Sequence, residues 1–281
     1  MSFNLSTILG ESAKSHPDST AVIHEGGKLT YRDLDDQSDR MAAELVRLGV
    51  QPGDAVGVQL PNVPEFVVTL YGILKAGGVV IPMNVLNKGP EIGYFLTHSR
   101  ARVLITHGDC AVEAAKGVEQ AGAECLYVLG AAKNLPGGAR DFAELTEGEP
   151  ASPPPFTLRD PSDTAVLLYT SGTTGRPKGV KLTHFQLYMN AAAHREAFGM
   201  DEQCVVIAVM PLFHALGLSG ILNATILAGG AVDLLPKFDA TNVLTAIQEH
   251  RATILHGVPT MYHAMLHHPQ ASNFDTSSLR V

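Results

Sequence analysis

Tryptophan is missing from this chain of 281 residues, which by itself excludes nothing. The scarcity of cysteine says more. Cys110, Cys125 and Cys204 are the only three, far apart and odd in number. That argues against a disulfide framework and points to reduced thiols in a cytosolic protein, so a cytoplasmic location is expected. The opening Met1-Ser2-Phe3-Asn4-Leu5 lacks the charged-then-apolar pattern of a secretory signal. No uninterrupted apolar stretch is long enough to span a bilayer, and no clear basic amphipathic helix marks a membrane surface. Charge is sparse, 17% of residues, and the net charge is -8 without a long run of either sign. This disfavours nucleic acid as a partner, because phosphate backbones need basic patches. What is abundant is apolar material, 45% of the chain, enough for a core and too much for disorder. The length suits one large or two ordinary domains.

Several catalytic signatures are also missing. No GxGxxG follows a first strand, which argues against a nicotinamide-binding Rossmann domain despite the similar alternation. Gly217-Leu218-Ser219-Gly220 has the wrong spacing for a GxSxG nucleophile elbow. His263 and His267 stand four apart on an expected helix, but no Glu follows His263 as in HExxH and no third ligand is evident. A helix surface is the reading there, and no metal ligand is assigned. His267-His268 before Pro269 looks like a helix end, where cations favour the dipole.

What is present alternates. Ala21–His24 and Lys28–Thr30 flank Gly26-Gly27 as a hairpin. Thr30 with Asp33 resembles a capping box, and Leu34, Met41, Leu45 and Leu48 follow at helical spacing until Gly49. A strand over Ala55–Leu60, a helix from Pro64 to Gly77-Gly78, and strands at Val79–Pro82, Val103–Thr106 and Leu126–Leu129 come next. Strands separated by helices of this length predict parallel βαβ units and an α/β fold. Pro153-Pro154-Pro155 within Pro150–Pro161 reads as a linker or stiff crossover. The expected organisation is a first α/β subdomain over 1–150, the Pro-rich segment 151–162, and a second subdomain over 163–281 with its own sheet. Strands are expected there at Ala165–Tyr169, Val180–Thr183, Val205–Met210, Ala231–Leu235 and Thr253–Leu255, and helices at His184–Phe198, Leu216–Ala228, Thr241–His250 and Thr260–His267. Ser278–Val281 looks like a strand just beginning, so a truncated chain is expected.

The segment Tyr169-Thr170-Ser171-Gly172-Thr173-Thr174-Gly175-Arg176-Pro177-Lys178-Gly179-Val180 stands out. Four Thr and Ser hydroxyls, three glycines and two cations lie between two apolar strands. Glycines let backbone N–H groups approach an anion, hydroxyls add donors, and Lys178 adds a compact positive charge. Together these suit a polyphosphate; an exposed polar hairpin loop is the plainer alternative. It is not the P-loop of GxxxxGK[ST] type, since Pro177 pushes Arg176 toward extended conformations and the loop should lead into a strand. His214 follows Met210-Pro211-Leu212-Phe213 at a strand end, where α/β proteins place ligand sites, though a histidine hydrogen-bonded to backbone fits the spacing as well. The small apolar stretch Gly220–Gly230 reads by default as a buried helix.

The long loop motif resembles the phosphate-loop signature of the adenylate-forming superfamily, which includes acyl-CoA ligases, luciferases and peptide-synthetase adenylation domains. Leu29-Thr30-Tyr31-Arg32-Asp33-Leu34, Leu74–Pro82, Met210–Leu218 and Gly257-Val258-Pro259-Thr260 resemble further family motifs in the expected order. The Pro-Leu-Phe-His form is similar to that of acyl-CoA synthetases, and the whole chain resembles the N-terminal part of a fatty acyl-CoA ligase. The resemblance implies stacked, largely parallel sheets with helices between, cut before a C-terminal domain. It implies a ligase forming an acyl-adenylate from ATP, with Mg²⁺, and passing the acyl group to coenzyme A, with a medium- or long-chain fatty acid as the favoured acid. Thr170, Ser171, Gly172, Thr173, Thr174, Gly175 and Lys178 would line the β- and γ-phosphates. His214 would sit at the mouth of the acyl pocket, and Leu218, Ile221 and Ala224 would line it. The family's metal-binding Thr-Glu motif, ribose-binding Asp and catalytic Lys have no counterpart up to Val281, so residues 1–281 alone are expected to be inactive. The rivals are a fatty acyl-AMP ligase loading a carrier protein, an aryl-acid CoA ligase, and a non-catalytic module that holds a nucleotide or acyl chain. Peripheral membrane contact and self-association are left open.

Overall fold

The structure, a computed structural model, describes residues 2–25, 27–130, 138–148, 156–170 and 176–281. In chain order its main elements are α1 (Thr7–Ser15), β1 (Thr20–His24), β2 (Gly27–Thr30), α2 (Tyr31–Arg47), β3 (Ala55–Gln59), α3 (Pro64–Lys75), β4 (Val79–Pro82), α4 (Gly89–Ser99), β5 (Val103–His107), α5 (Ala111–Ala121), β6 (Cys125–Leu129), β7 (Arg140–Asp141), β8 (Thr164–Thr170), β9 (Lys178–Thr183), α6 (His184–Ala197) and β10 (Val205–Ala208). A π-helix (Leu216–Asn223) then runs into α7 (Ala224–Ala228), followed by β11 (Ala231–Leu234), α8 (Ala240–His250), β12 (Ile254–Leu255) and α9 (Pro259–Leu266). The α/β class expected from the alternation is what forms.

Local chemistry sets the element ends. At the start of α2 the Asp33 amide donates to Thr30 Oγ1 at 3.1 Å and the Thr30 amide donates to Asp33 Oδ2 at 3.1 Å, a reciprocal cap that satisfies two orphan donors. The Thr30 hydroxyl, which donates to Asp33 Oδ2 at 2.7 Å, and then the Thr30 amide hold the Asp33 carboxyl below the usual carboxylate range. Gly49 follows at φ 85°, a left-handed stop. Pro64 opens α3, which is buried from Phe66 to Lys75. The Lys75 ammonium is accommodated because it donates to Asp35 Oδ1 and Asp39 Oδ1, each at 2.6 Å; a buried charge without such partners would be strongly destabilising.

The chain forms two compact units, one of Met1–Thr7, Asp35–Pro61 and Glu65–Gln186, the other of Ile8–Leu34, Asn62–Pro64 and Leu187–Val281. The first holds a seven-stranded sheet in the order β7-β6-β5-β3-β4-β8-β9. Its strands are parallel except for the antiparallel β8–β9 pair, and Ile81, Ile92, Phe95, Leu104 and Leu126 pack in its core. The second holds a five-stranded sheet in the order β12-β10-β11-β1-β2, parallel except for β1–β2, with Ile207, Val243, Ile247 and Leu255 in its core.

Two expectations need correction. A new sheet does not begin after Pro150–Pro161: β8 joins the sheet of the preceding strands through Val80↔Val166, while the early strand β1 pairs with the late β11 through Val22↔Val232. Periodicity identifies a strand but not its partner, and partners are chosen by which pairing buries both faces. Ser278–Val281 is not a strand, although Arg280 N donates to Thr253 O at 2.8 Å and Leu255 N to Val281 O at 3.1 Å, alongside β12. Among the described residues no helix is long and apolar enough to cross a membrane.

Candidate functional site

The hydroxyl- and glycine-rich segment joins the carboxyl end of β8 to β9. Its base is closed by the antiparallel pairs Tyr169↔Gly179 and Thr170↔Lys178. It therefore leads into a strand, as the proline requires. Thr170 and Lys178 are both exposed. Ser171, Gly172, Thr173, Thr174 and Gly175 lie outside the described residues. Helix α4 touches both limbs of the segment. Tyr94 donates its hydroxyl hydrogen to Pro177 O at 3.0 Å, and Tyr169 Oη lies 2.8 Å from His98 Nδ1. The Tyr169 ring stacks on Phe95 at 4.3 Å between centroids. Burial pushes the Tyr169 phenol up to about 12, so it stays protonated at neutral pH.

His214 belongs to the other unit. The chain leaves the carboxyl end of β10 and turns at Pro211, where the His214 amide donates to Pro211 O at 3.1 Å; the Leu218 amide then donates to His214 O at 2.9 Å. The imidazole is exposed, 4.7 Å from the buried Phe213 ring. The helix expected over Leu216–Ala228 opens as the π-helix, a wide-turn geometry that is rare and frequent at functional sites. Gly217 permits it: a Cβ there would lie 2.2 Å from Pro211 O. Of the residues named for the pocket wall, Leu218, Ile221 and Ala224 are all 0% exposed, whereas Leu216 is 41% exposed. Beside the π-helix, a Cβ on Gly220 would meet His194 Nε2 at 2.7 Å. His256 packs edge-on against Phe198 at 4.8 Å. Burial, and then the neighbouring His194, hold the His256 imidazole below its ordinary range.

The AMP-binding enzyme family matches residues 9–281. The chain belongs to that family. It is 34% identical to the long-chain-fatty-acid–CoA ligase of Bacillus subtilis over 98% of its own length and 54% of that protein. It is 37% identical to a feruloyl-CoA synthase of Amycolatopsis over 96% of its length and 51% of that protein. Among solved structures it is similar to the anthranilate CoA ligase AuaEII in complex with anthranoyl-AMP, with a TM-score of 0.91, 29% identity, and coverage of 99% of this chain and 54% of that one. The chain thus spans about half the length of the curated relatives it matches.

Within the family fold, the residue that sequence reasoning missed is Asn62. Its side chain is 2% exposed and uses both its ends. Nδ2 donates to Ala208 O, Met210 O and Leu235 O at 2.8, 3.1 and 3.2 Å, and Oδ1 accepts from Leu212 N at 2.9 Å. One amide thereby fixes the ends of β10 and β11 and the turn that carries His214. The only signal in the sequence was a polar residue between Pro61 and Pro64, which reads as ordinary helix-start punctuation. Tyr94 and His98 were missed for a similar reason, since aromatic residues on a helix read as core. His263 and His267 stack at 4.0 Å, and among the described residues no group of three His, Cys, Asp or Glu side chains could hold a metal ion. The described residues thus offer Mg²⁺ no cage of their own.

Proposed function

We propose that the protein activates a carboxylic acid with ATP and passes the acyl group to coenzyme A. The observation that carries this reading is the loop closed at its base by Thr170 and Lys178, in a chain of the AMP-binding enzyme family. In the first step a carboxylate oxygen attacks the α-phosphorus, the bond from that phosphorus to the bridging oxygen breaks, and pyrophosphate leaves. The Lys178 ammonium and the hydroxyl and N–H donors of Thr170–Gly175 take up the charge on the β- and γ-phosphates. Preorganised donors of this kind usually supply most of the rate enhancement in such chemistry. His214 meets the carboxylate. Leu218, Ile221 and Ala224 set the volume behind the acyl chain. In the second step the coenzyme A sulfur attacks the acyl carbon, AMP departs, and the thiol proton is released to solvent. Mg²⁺, when bound, would neutralise phosphate charge.

For the acid, a medium- or long-chain fatty acid is supported by the Bacillus relative's name. An aryl acid is the second reading, favoured by the feruloyl-CoA synthase and anthranilate CoA ligase similarities. The free thiols Cys110, Cys125 and Cys204 support a cytoplasmic setting. The test is ATP–pyrophosphate exchange by the protein expressed from its complete reading frame, with palmitate, coumarate and amino acids in parallel, followed by addition of coenzyme A or a carrier protein. Exchange with palmitate and thioester on coenzyme A is expected. Exchange with coumarate alone selects the second reading, and exchange with no acid overturns both.

A further inference from the structure

Two imidazoles, His194 at the end of α6 and His256 just after β12, stand beside the π-helix four to five residues past His214, in the same unit. We propose that they select the acid: the site favours a carboxylic acid bearing a hydroxyl group over the same acid without one. The proposal rests on the reading of His214 as the group that meets the carboxylate, and it names the class of acid preferred there. Leu218, Ile221 and Ala224 are fully buried and so cover the core-facing side of this helix. Its other side is different. Leu216 is exposed and Gly220 has no side chain. The place where a side chain of residue 220 would stand is filled from two directions, since a Cβ there would lie 2.7 Å from His194 Nε2 and 3.0 Å from Leu216 Cδ1. Glycine at 220 is what lets the imidazole reach the helix.

The hydrogen-bonding capacity of the pair decides the chemistry. His194 Nδ1 lies 3.0 Å from Asn190 O. A carbonyl only accepts, so Nδ1 carries the hydrogen, and in the neutral ring Nε2 keeps its lone pair. The His256 ring stands 6.5 Å from that of His194, and Phe198 packs against both, at 5.9 Å and 4.8 Å. His256 Nε2 is sealed from solvent and has no hydrogen-bond partner among the described residues. An atom in that state is costly, and proteins rarely leave one unsatisfied. One nitrogen thus offers a lone pair and a second lacks a partner, with Phe198 and Leu216 as apolar surroundings. A hydroxyl on an apolar frame answers both nitrogens, because it donates to one and accepts from the other. The ring separation admits one oxygen at about 2.9 Å from a nitrogen of each. A second anionic group on the acid would gain less. Burial, and then His194, hold the His256 imidazole below its ordinary range, so it offers an anion no charge at neutral pH. A plain methylene chain would leave the orphan nitrogen as it is.

The experiment uses wild type, His194→Leu, His256→Leu and His256→Gln, expressed from the complete reading frame, and acids in matched pairs: coumarate against cinnamate, and ω-hydroxypalmitate against palmitate. ATP–pyrophosphate exchange gives kcat/KM for each acid, and the ratio within each pair is the readout. A general loss of folding or of nucleotide binding cancels in that ratio, so a merely structural role would not move it. In wild type the hydroxylated member of at least one pair should be favoured about tenfold or more, the worth of one to two hydrogen bonds. Each Leu substitution should bring the ratio close to one by lowering use of the hydroxylated acid, with its plain partner kept within about threefold. His256→Gln, which keeps a polar group, should retain part of the preference. A wild-type ratio near one in both pairs overturns the proposal, and the orphan nitrogen then holds water only; this result decides even if a variant fails to fold. A preference that survives both Leu substitutions overturns it as well. Exchange with the plain acids but no preference leaves the acid-activating reading standing without this inference. Exchange with no acid at all removes that reading and this inference with it.

Discussion

The loop between β8 and β9 and the turn after β10 both leave the carboxyl end of a strand, and they are built by opposite means. The loop announces itself in composition and presents its limb residues Thr170 and Lys178 to solvent. The turn is held from inside, by the buried Asn62 amide and by a glycine so tightly covered that its missing side chain is a structural requirement. The first depends on chemistry that a reader of the sequence can recognise. The second depends on contacts between residues far apart in the chain. The contrast teaches that a segment with solvent-facing limbs and a turn held from inside should fail in different ways when changed.

The largest difference is expected at the glycines. Gly217→Ala puts a methyl group 2.2 Å from the Pro211 carbonyl oxygen, and backbone on that side cannot step aside. A loss of about 3 kcal/mol or more is expected by urea denaturation. Gly179→Ala meets the end of the Leu167 side chain at 3.0 Å and the Tyr169 ring at an ordinary 3.5 Å and should cost about 1 kcal/mol or less. Equal losses would erase the distinction.

Acid should act on the unit that carries the loop through His184, which directly follows β9. Its ring is fully buried and Nδ1 accepts the Leu5 amide hydrogen at 3.0 Å. Burial, with Arg159 nearby, holds its pKa down at about 4 against an ordinary 6.5. A value depressed on folding means that the neutral ring is the stable native form. Its contribution is complete above pH 6.5 and is lost as pH falls toward 4, by up to about 3 kcal/mol. Denaturation midpoints measured across that window should fall more steeply in wild type than in His184→Gln; parallel curves would refute the assignment.

Activity separates the regions next. Lys178→Ala and Thr174→Ala should slow ATP–pyrophosphate exchange about a hundredfold, the usual loss for one preorganised donor, with little change in stability. Near-normal exchange in both would leave the loop as a plain hairpin. Asn62→Ala should do the reverse. It leaves the Leu212 amide without its Asn62 acceptor and takes one donor from three carbonyls, of which Ala208 O keeps the Leu235 amide at 3.2 Å, a loss of about 2 kcal/mol in stability, and it should raise the acid KM more than the ATP KM. The smallest effect is expected at His214→Ala, about a tenfold rise in acid KM with ATP affinity unchanged. A large loss of ATP binding there would reverse the roles given to the two regions.

Elements governed by neighbours in the chain were legible. The Thr30–Asp33 cap, the helix opened by Pro64, the hairpin β1–β2 and the strand after Lys178 all rest on residues within a few positions of one another, and all stand where the pattern puts them. The opening of the helix after His214 was not legible. Leu216–Ala228 has helical periodicity, but its first part is wound as a π-helix, and a widened turn leaves the apolar pattern unchanged. The burial of Lys75 was equally hidden, because a lysine at a helix end reads as a dipole partner until Asp35 and Asp39 are brought to it.

By itself, then, the sequence determined the α/β alternation, the caps and breaks of its helices, and a segment whose hydroxyls, glycines and cations suit phosphate. These are short-range properties, set by backbone freedom, by periodicity and by side chains that reach only three or four residues along the chain. Only the tertiary structure decided which strands share a sheet, that β8 lies beside β4 and β1 beside β11, and that Asn62 reaches Leu235, 173 residues away, to hold the turn before His214. The physical reason is that buried polar groups must find partners wherever the packed chain brings them, and a linear pattern does not say which distant carbonyl that will be.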